Sequence, residues 1–185
     1  MEKLWTKNYP KDIPDTIDEI EYNSLVDLFD KATRKYSTNI AFSNLKSSLT
    51  FNQTKKHAEK FASYLQTKCN SKKNTKVAIM LPNLMTYPVT LFGSFLSGAT
   101  VVNVNPLFKE RELENVLIDS EADIIIVLDK FFGELEPIIS KTNLKHIIVC
   151  KITDLLNPIM KVIVNMVLLY KGEKKKINHQ NIIYF

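Results

Sequence analysis

Two short apolar runs, one helix-length apart, set what this chain can become. Residues 77–81 read Val-Ala-Ile-Met-Leu and stop at Pro82; residues 100–104 read Thr-Val-Val-Asn-Val and stop at Pro106. Runs of this length and composition, closed by proline, predict buried strands. Between them Leu91, Phe92, Phe95 and Leu96 recur at helical spacing, while Thr90, Ser94 and Ser97 share the opposite stripe. Gly98 falls where a left-handed helix cap belongs. The pattern is a strand-helix-strand unit, and a crossover through a helix returns the second strand parallel to the first with right-handed connection.

The alternation continues. Leu113, Val116 and Leu117 mark a helix, residues 123–128 a strand, 131–141 a helix and 145–150 a strand. Continuous apolar strands alternating with amphipathic helices need cover on both faces, so the fold class is α/β, a doubly wound and mainly parallel sheet with helices on both sides. Upstream, residues 1–22 form a polar arm with Pro10 and Pro14, in which Trp5 and Tyr9 are candidates to dock on a neighbouring surface. Ser24 caps a helix whose inner face is Leu25, Leu28, Phe29, Ala32 and Tyr36, with Asp27 completing a weak capping box. Residues 40–43 and 49–51 predict a hairpin around Lys-Ser-Ser, and Asn52 is expected to cap the next helix. That helix turns Ala58, Phe61, Ala62 and Leu65 inward and Lys55, Lys56, Glu59 and Lys60 to water. Three regions result: the arm 1–22, the α/β unit 23–152, and an apolar helix with a basic tail at 153–185.

Composition excludes several function classes. The 185 residues suffice for one domain with a real core, and a net charge of +5 from scattered lysines does not make a nucleic-acid surface. Cys69 and Cys150 have neither metal nor redox spacing, and residues 1–6 lack a signal-peptide core, which points to a cytoplasmic protein with reduced thiols. The glycines are Gly93, Gly98, Gly133 and Gly172, so neither a dinucleotide fingerprint nor a Walker-type phosphate loop can be written. His57 reads as a surface histidine, and His146 and His179 meet no positioned acid or nucleophile. No catalytic, cofactor-binding or metal-binding residue is legible.

Ligands of open parallel sheets favour the crevice beyond the carboxyl ends of the strands. Those ends are Pro82-Asn83, Asn105-Pro106, Asp129-Lys130 and Lys151. Asn83 and Asn105 are therefore either polar ligand contacts or, respectively, a helix cap and a turn former. Pro88 is tolerated if the helix starts near Thr86 and disruptive if it starts at Asn83. Farther on, Asn157-Pro158 opens and Gly172 closes an apolar helix broken by Lys161 and Asn165. At about 21 Å it is too short for a bilayer core. Two roles remain open: packing against another part of a larger protein, or lying on a membrane with Lys161, Lys171, Lys174, Lys175 and Lys176 toward anionic headgroups.

Several segments together carry a resemblance. Residues 77–83 (Val-Ala-Ile-Met-Leu-Pro-Asn), 87–89 (Tyr-Pro-Val), 101–107 (Val-Val-Asn-Val-Asn-Pro-Leu) and 111–114 (Arg-Glu-Leu-Glu) are similar to the N-terminal part of adenylate-forming enzymes. Asp119-Ser120, Trp5 with Tyr9-Pro10, and Ser24-Leu25-Val26-Asp27 fit the same pattern, and the sequence most resembles bacterial long-chain fatty acid–CoA ligases over nearly its whole length. Lys109 departs from a usual threonine cap and Asn74-Thr75 from a usual Gly-Asp turn. The resemblance implies an intact enzyme that uses ATP and magnesium to make an acyl-adenylate from a long-chain fatty acid and passes the acyl group to coenzyme A. It also implies that the phosphate loop, the ribose-binding aspartate and the catalytic lysine lie beyond Phe185, on remaining ligase domains. This stretch would then be a non-catalytic scaffold that walls the acyl site, inactive alone; a stand-alone binding or peripheral-membrane module is the alternative.

Overall fold

The computed structural model describes residues 4–14, 16, 21–172 and 182–185. After a 3-10 turn at Leu4–Asn8 come α1 (Leu25–Lys35), the hairpin strands β1 (Ile40–Asn44) and β2 (Ser47–Thr50), and α2 (Phe51–Lys68). The central run is β3 (Lys76–Met80), α3 (Thr86–Leu96), β4 (Thr100–Asn103), α4 (Glu110–Ser120) and β5 (Ile124–Leu128). A short α5 (Phe132–Leu135), β6 (His146–Cys150), α6 (Pro158–Tyr170) and β7 (Ile182–Tyr184) complete the chain. The five strands β3 to β7 form one sheet in the order β4-β3-β5-β6-β7, every pair parallel.

Strand alternation divides the core into two layers. Ala78, Met80, Ile125, Val127 and Val149 point toward Leu113, Leu117 and Leu135 of α4 and α5. Val77, Ile79, Ile124, Ile126 and Ile148 point the other way, toward Phe61 and Leu65 of α2. The doubly wound sheet expected from the strand-helix rhythm is therefore what forms.

Local departures have identifiable causes. The hairpin turns at Leu45-Lys46, both at positive φ (46° and 57°), so Ser47 and Ser48 are already strand. Mirror-image turns of this hand match the strand twist. Thr50, not Asn52, caps α2: its Oγ1 accepts from Gln53 N at 3.2 Å and Gln53 Oε1 accepts from Thr50 N at 2.8 Å, which leaves Phe51 helical rather than extended. The helix expected over 131–141 is broken into α5 and a 3-10 stretch at Glu136–Lys141, because Pro137 has no N–H to continue the ladder. In α1 Phe29 is buried and stacks on Phe92 at 4.0 Å, but Leu25, at 57% exposure, Leu28 and Tyr36 stay out. Trp5 and Tyr9 remain exposed among the described residues.

The largest correction concerns α3. Its buried face is the small, hydroxylic one, Thr90, Gly93, Ser94 and Ser97, while Leu91, Phe92, Phe95 and Leu96 are only half-buried. Those hydroxyls are satisfied internally: Thr90 donates to Tyr87 O, Ser94 to Thr90 O and Ser97 to Ser94 O. With no polar debt, small side chains allow close contact with α2. β7, which the reading as a basic tail missed, closes the sheet edge through Ile182 and Ile183.

Candidate functional site

In this strand order the crossovers diverge between β3 and β5, the switch point where such sheets take ligands. The chain leaves β3 through Leu81-Pro82-Asn83 and β5 through Asp129. The β1–β2 hairpin reaches over the first exit, where Asn44 Nδ2 donates to Asn83 O at 3.0 Å. Between hairpin and α3 lies a groove of about 440 Å³, with Phe42, Met85, Tyr87, Leu91 and Phe92 as its apolar wall and Asn44 and Asn83 on its rim. The Tyr87 hydroxyl donates to Asn103 Oδ1 at 3.0 Å and fixes the ring across the end of β4. The lining is mostly apolar and presents no nucleophile paired with a base.

Asn83 lines this groove and does not cap α3, whose N-cap is Met85 without a side-chain bond. Pro88 consequently falls in the first turn, where its missing N–H costs no helical bond. Asn105 is elsewhere. Its Oδ1 accepts from Leu107 N at 3.0 Å and its carbonyl from Phe108 N at 3.1 Å, so the side chain is committed to its own turn. Asn83 lines the groove and Asn105 does not. Sequence reasoning missed Asn44, Tyr87 and Asn103 as groove-fixing residues; the alternation of β1 carried the only signal for Asn44. It also missed Thr86, whose buried hydroxyl has no hydrogen-bond partner among the described residues.

The exits of β5 and β6 carry a second polar group. Burial pushes the Asp129 carboxyl above its ordinary range, against the Lys130 N–H that bonds it at 2.8 Å and the charge of Lys151. Burial raises Asp154 likewise, although Lys151 N donates to it at 2.6 Å and Lys161 and Lys151 pull the other way. Lys151 lies 4.7 Å from the centre of the Tyr184 ring. Burial also raises the Cys150 thiol, which leaves it unreactive. Among the described residues no cluster of His, Cys, Asp and Glu suits a metal. His57 is half-buried, and burial, then the charge of Lys60, lowers its pKa. Lys161 and Lys171 sit on the flank and at the end of α6; Lys174, Lys175 and Lys176, like His179, lie outside the described residues.

Comparison with known proteins fits this architecture. The AMP-binding enzyme family matches residues 29–179. A long-chain-fatty-acid–CoA ligase of Yersinia pestis is 41% identical over 170 residues, 92% of this chain and 30% of that protein. The Bacillus subtilis enzyme of the same name is 31% identical over 156 residues, 84% of this chain and 27% of its own length. The crystal structure of a long-chain-fatty-acid-CoA ligase from Archaeoglobus fulgidus superposes with a TM-score of 0.62 at 27% identity, over 71% of this chain and 30% of that one. The chain thus spans about 30% of the length of these relatives. With the parallel sheet, its helical layers and most of its sequence matched, this chain belongs to the AMP-binding enzyme family.

Proposed function

We propose that this chain is the N-terminal, non-catalytic portion of a long-chain fatty acid–CoA ligase, acting as scaffold and as one wall of the acyl site. The observation that carries the reading is the apolar groove at the carboxyl end of β3, on a chain whose relatives bear that enzyme name. The intact enzyme would take ATP, magnesium, coenzyme A and a long-chain fatty acid, in the cytoplasm or on the inner face of the cell membrane, with the remaining ligase domains as this chain's partners.

The residues in hand do not fit a triphosphate. A phosphate cradle needs successive backbone N–H groups brought close by residues without a Cβ. Gly93 is inside α3 against Phe61, Gly98 ends that helix at φ 85°, Gly133 is within α5 and Gly172 follows α6. Asn83 is the polar residue best placed to meet a ligand, at the groove rim. Purified chain, incubated with ATP, magnesium, coenzyme A and a long-chain fatty acid, is expected to release no diphosphate above background; fatty-acid-dependent release, or tight and specific ATP binding, overturns the assignment. The second reading, a peripheral-membrane module, draws on the bare outer face of α6.

A further inference from the structure

The turn of the β1–β2 hairpin and the start of α6 meet at one asparagine, although Ser47 and Asn157 stand 110 residues apart in the chain. Asn157 caps α6, with Oδ1 accepting from Met160 N at 2.9 Å. Its donors all go to the hairpin. The backbone N–H donates to Ser47 Oγ at 3.0 Å, and Nδ2 donates to Ser47 Oγ at 2.9 Å and to Lys46 O at 3.1 Å. An amide side chain has two N–H donors, and both are engaged. A helix cap uses only the oxygen, which serine or aspartate supplies as well as asparagine does. What the nitrogen adds is a hold on the hairpin, at a serine that is itself buried.

The backbone on both sides of this contact is strained. Leu45 and Lys46 hold φ at 46° and 57°, and Leu155, two residues before Asn157, holds φ at 61°. Leucine and lysine rarely adopt this left-handed region, and such conformations persist where the surroundings over-determine them. Here the contact supplies the constraint. Asn157 bonds the carbonyl of the turn, while Leu155 and Leu156 pack against the cluster of Leu49, Met85 and Val89 beneath the hairpin. Turn and loop therefore hold each other in shapes that neither favours alone, and parting them lets both relax.

The hairpin is also one side of the groove, through Phe42, Ser43 and Asn44. Its base is closed by Phe51 N donating to Asn39 O and Asn52 N to Ser37 O, both at 3.0 Å, so its freedom lies at the turn. We propose that Asn157 is a positioning residue that latches the hairpin turn to the loop 151–157 and so holds the hairpin down over the groove. A shift of the first turn of α6 is thereby passed to the groove. For an acyl ligand the inference rests on the reading of the groove as an acyl wall; a measurement without ligand lets the two fail separately.

That measurement is oxidation of the methionines of the whole chain by hydrogen peroxide, followed residue by residue by mass spectrometry. Met85, which lines the groove at 3% exposure, reports lifting of the hairpin; Met80, fully buried in β3, reports unfolding of the whole. Asn157→Ser keeps an oxygen for Met160 N and removes both Nδ2 donors. It is expected to speed oxidation of Met85 about tenfold with Met80 unchanged. Ser47→Ala, which leaves the α6 cap untouched, should give the same pattern several-fold. Adding Leu45→Asn and Lys46→Gly to Asn157→Ser supplies a turn that favours this hand by itself, so Met85 should return to within about twofold of the parent. If neither Asn157→Ser nor Ser47→Ala separates Met85 from Met80, Asn157 is a cap only and the proposal is overturned. Met85 that stays fast after the turn substitutions shows that the turn is not what Asn157 holds, and overturns it equally. If the oxidation pattern holds but the parent binds no fluorescent long-chain fatty acid, the acyl-wall reading falls and the latch stands.

Discussion

Asp123 and Asp129 stand at opposite ends of β5, and the fold treats their charges oppositely. Asp123 takes Lys76 N on Oδ2 at 3.1 Å and Lys145 Nζ on Oδ1 at 2.7 Å, pinning the amino ends of three adjacent strands. Burial pushes its carboxyl up, but these bonds and the two lysine charges outweigh burial and hold it below its ordinary value. Its stabilisation is present above the unfolded value and is lost as pH falls through the folded one. Asp123→Asn should cost about 1 kcal/mol at neutral pH, the worth of a partly exposed charged bond, and little in acid, as urea melts at the two pH values will show. Asp129 is raised by burial, so the folded chain keeps that proton to higher pH than the unfolded chain. Stability is then lost as pH rises from the unfolded to the folded value, and the penalty persists above it. Asp129→Asn, which keeps the acceptor for Lys130 N, should raise the melting temperature at pH 7, with the gain vanishing in acid; a loss at pH 7 would contradict this sign. Neither role was legible in the sequence, where both aspartates simply border an isoleucine run. Which end of a strand is dominated by burial and which by lysine bonds is decided by neighbours distant in the chain.

At the scale of elements, periodicity located nearly every helix and strand but misjudged which face of α3 is buried. Hydropathy ranks Phe92 and Phe95 above Thr90 and Ser94, yet hydroxyls bonded to their own helix carry little desolvation cost. Closeness decides instead. A Cβ on Gly93 would stand 2.8 Å from Phe61 Cδ1 and 2.9 Å from Ala58 O. The ring can yield; the backbone carbonyl of α2 cannot yield cheaply. Gly93→Ala is therefore expected to cost about 1–3 kcal/mol by overpacking, although alanine is the better helix former. Chemical denaturation checks it, and a neutral or stabilising outcome would mean that α2 and α3 separate freely. Other misplacements have equally local causes: two αL residues moved the hairpin turn to Leu45-Lys46, and Thr50 outcompeted Asn52 because Gln53 stood three positions later. Asn83 and Asn105 were visible as strand ends, but only the fold separates a groove rim from a turn.

For the molecule as a whole, a parallel sheet covered by helices on both faces followed from the alternation of strands and helices, whereas the strand order, β7 and the link between the sheet and the groove appear only in the fold. Phe185 supplies that link. Its N–H donates to Val149 O at 3.1 Å, extending β7 along β6, and its ring centre lies 5.6 Å from that of Phe61 on α2. The same side chain packs beside Leu49, Met85 and Val89, the small core beneath the hairpin and the start of α3, and Met85 also lines the groove. A residue that touches the sheet, α2 and the hairpin core couples elements that otherwise open separately. Phe185→Ala should then cost about 2 kcal/mol or more, less than a fully buried phenylalanine because the ring is half-buried. Hydrogen exchange gives the sharper readout. If Phe185 is a tie, the amides of Leu49 and Val89 lose protection in the variant along with those of β6. Should protection fall only in β7, with the hairpin core and melting temperature unchanged, Phe185 merely finishes an edge strand and the groove holds its shape without it.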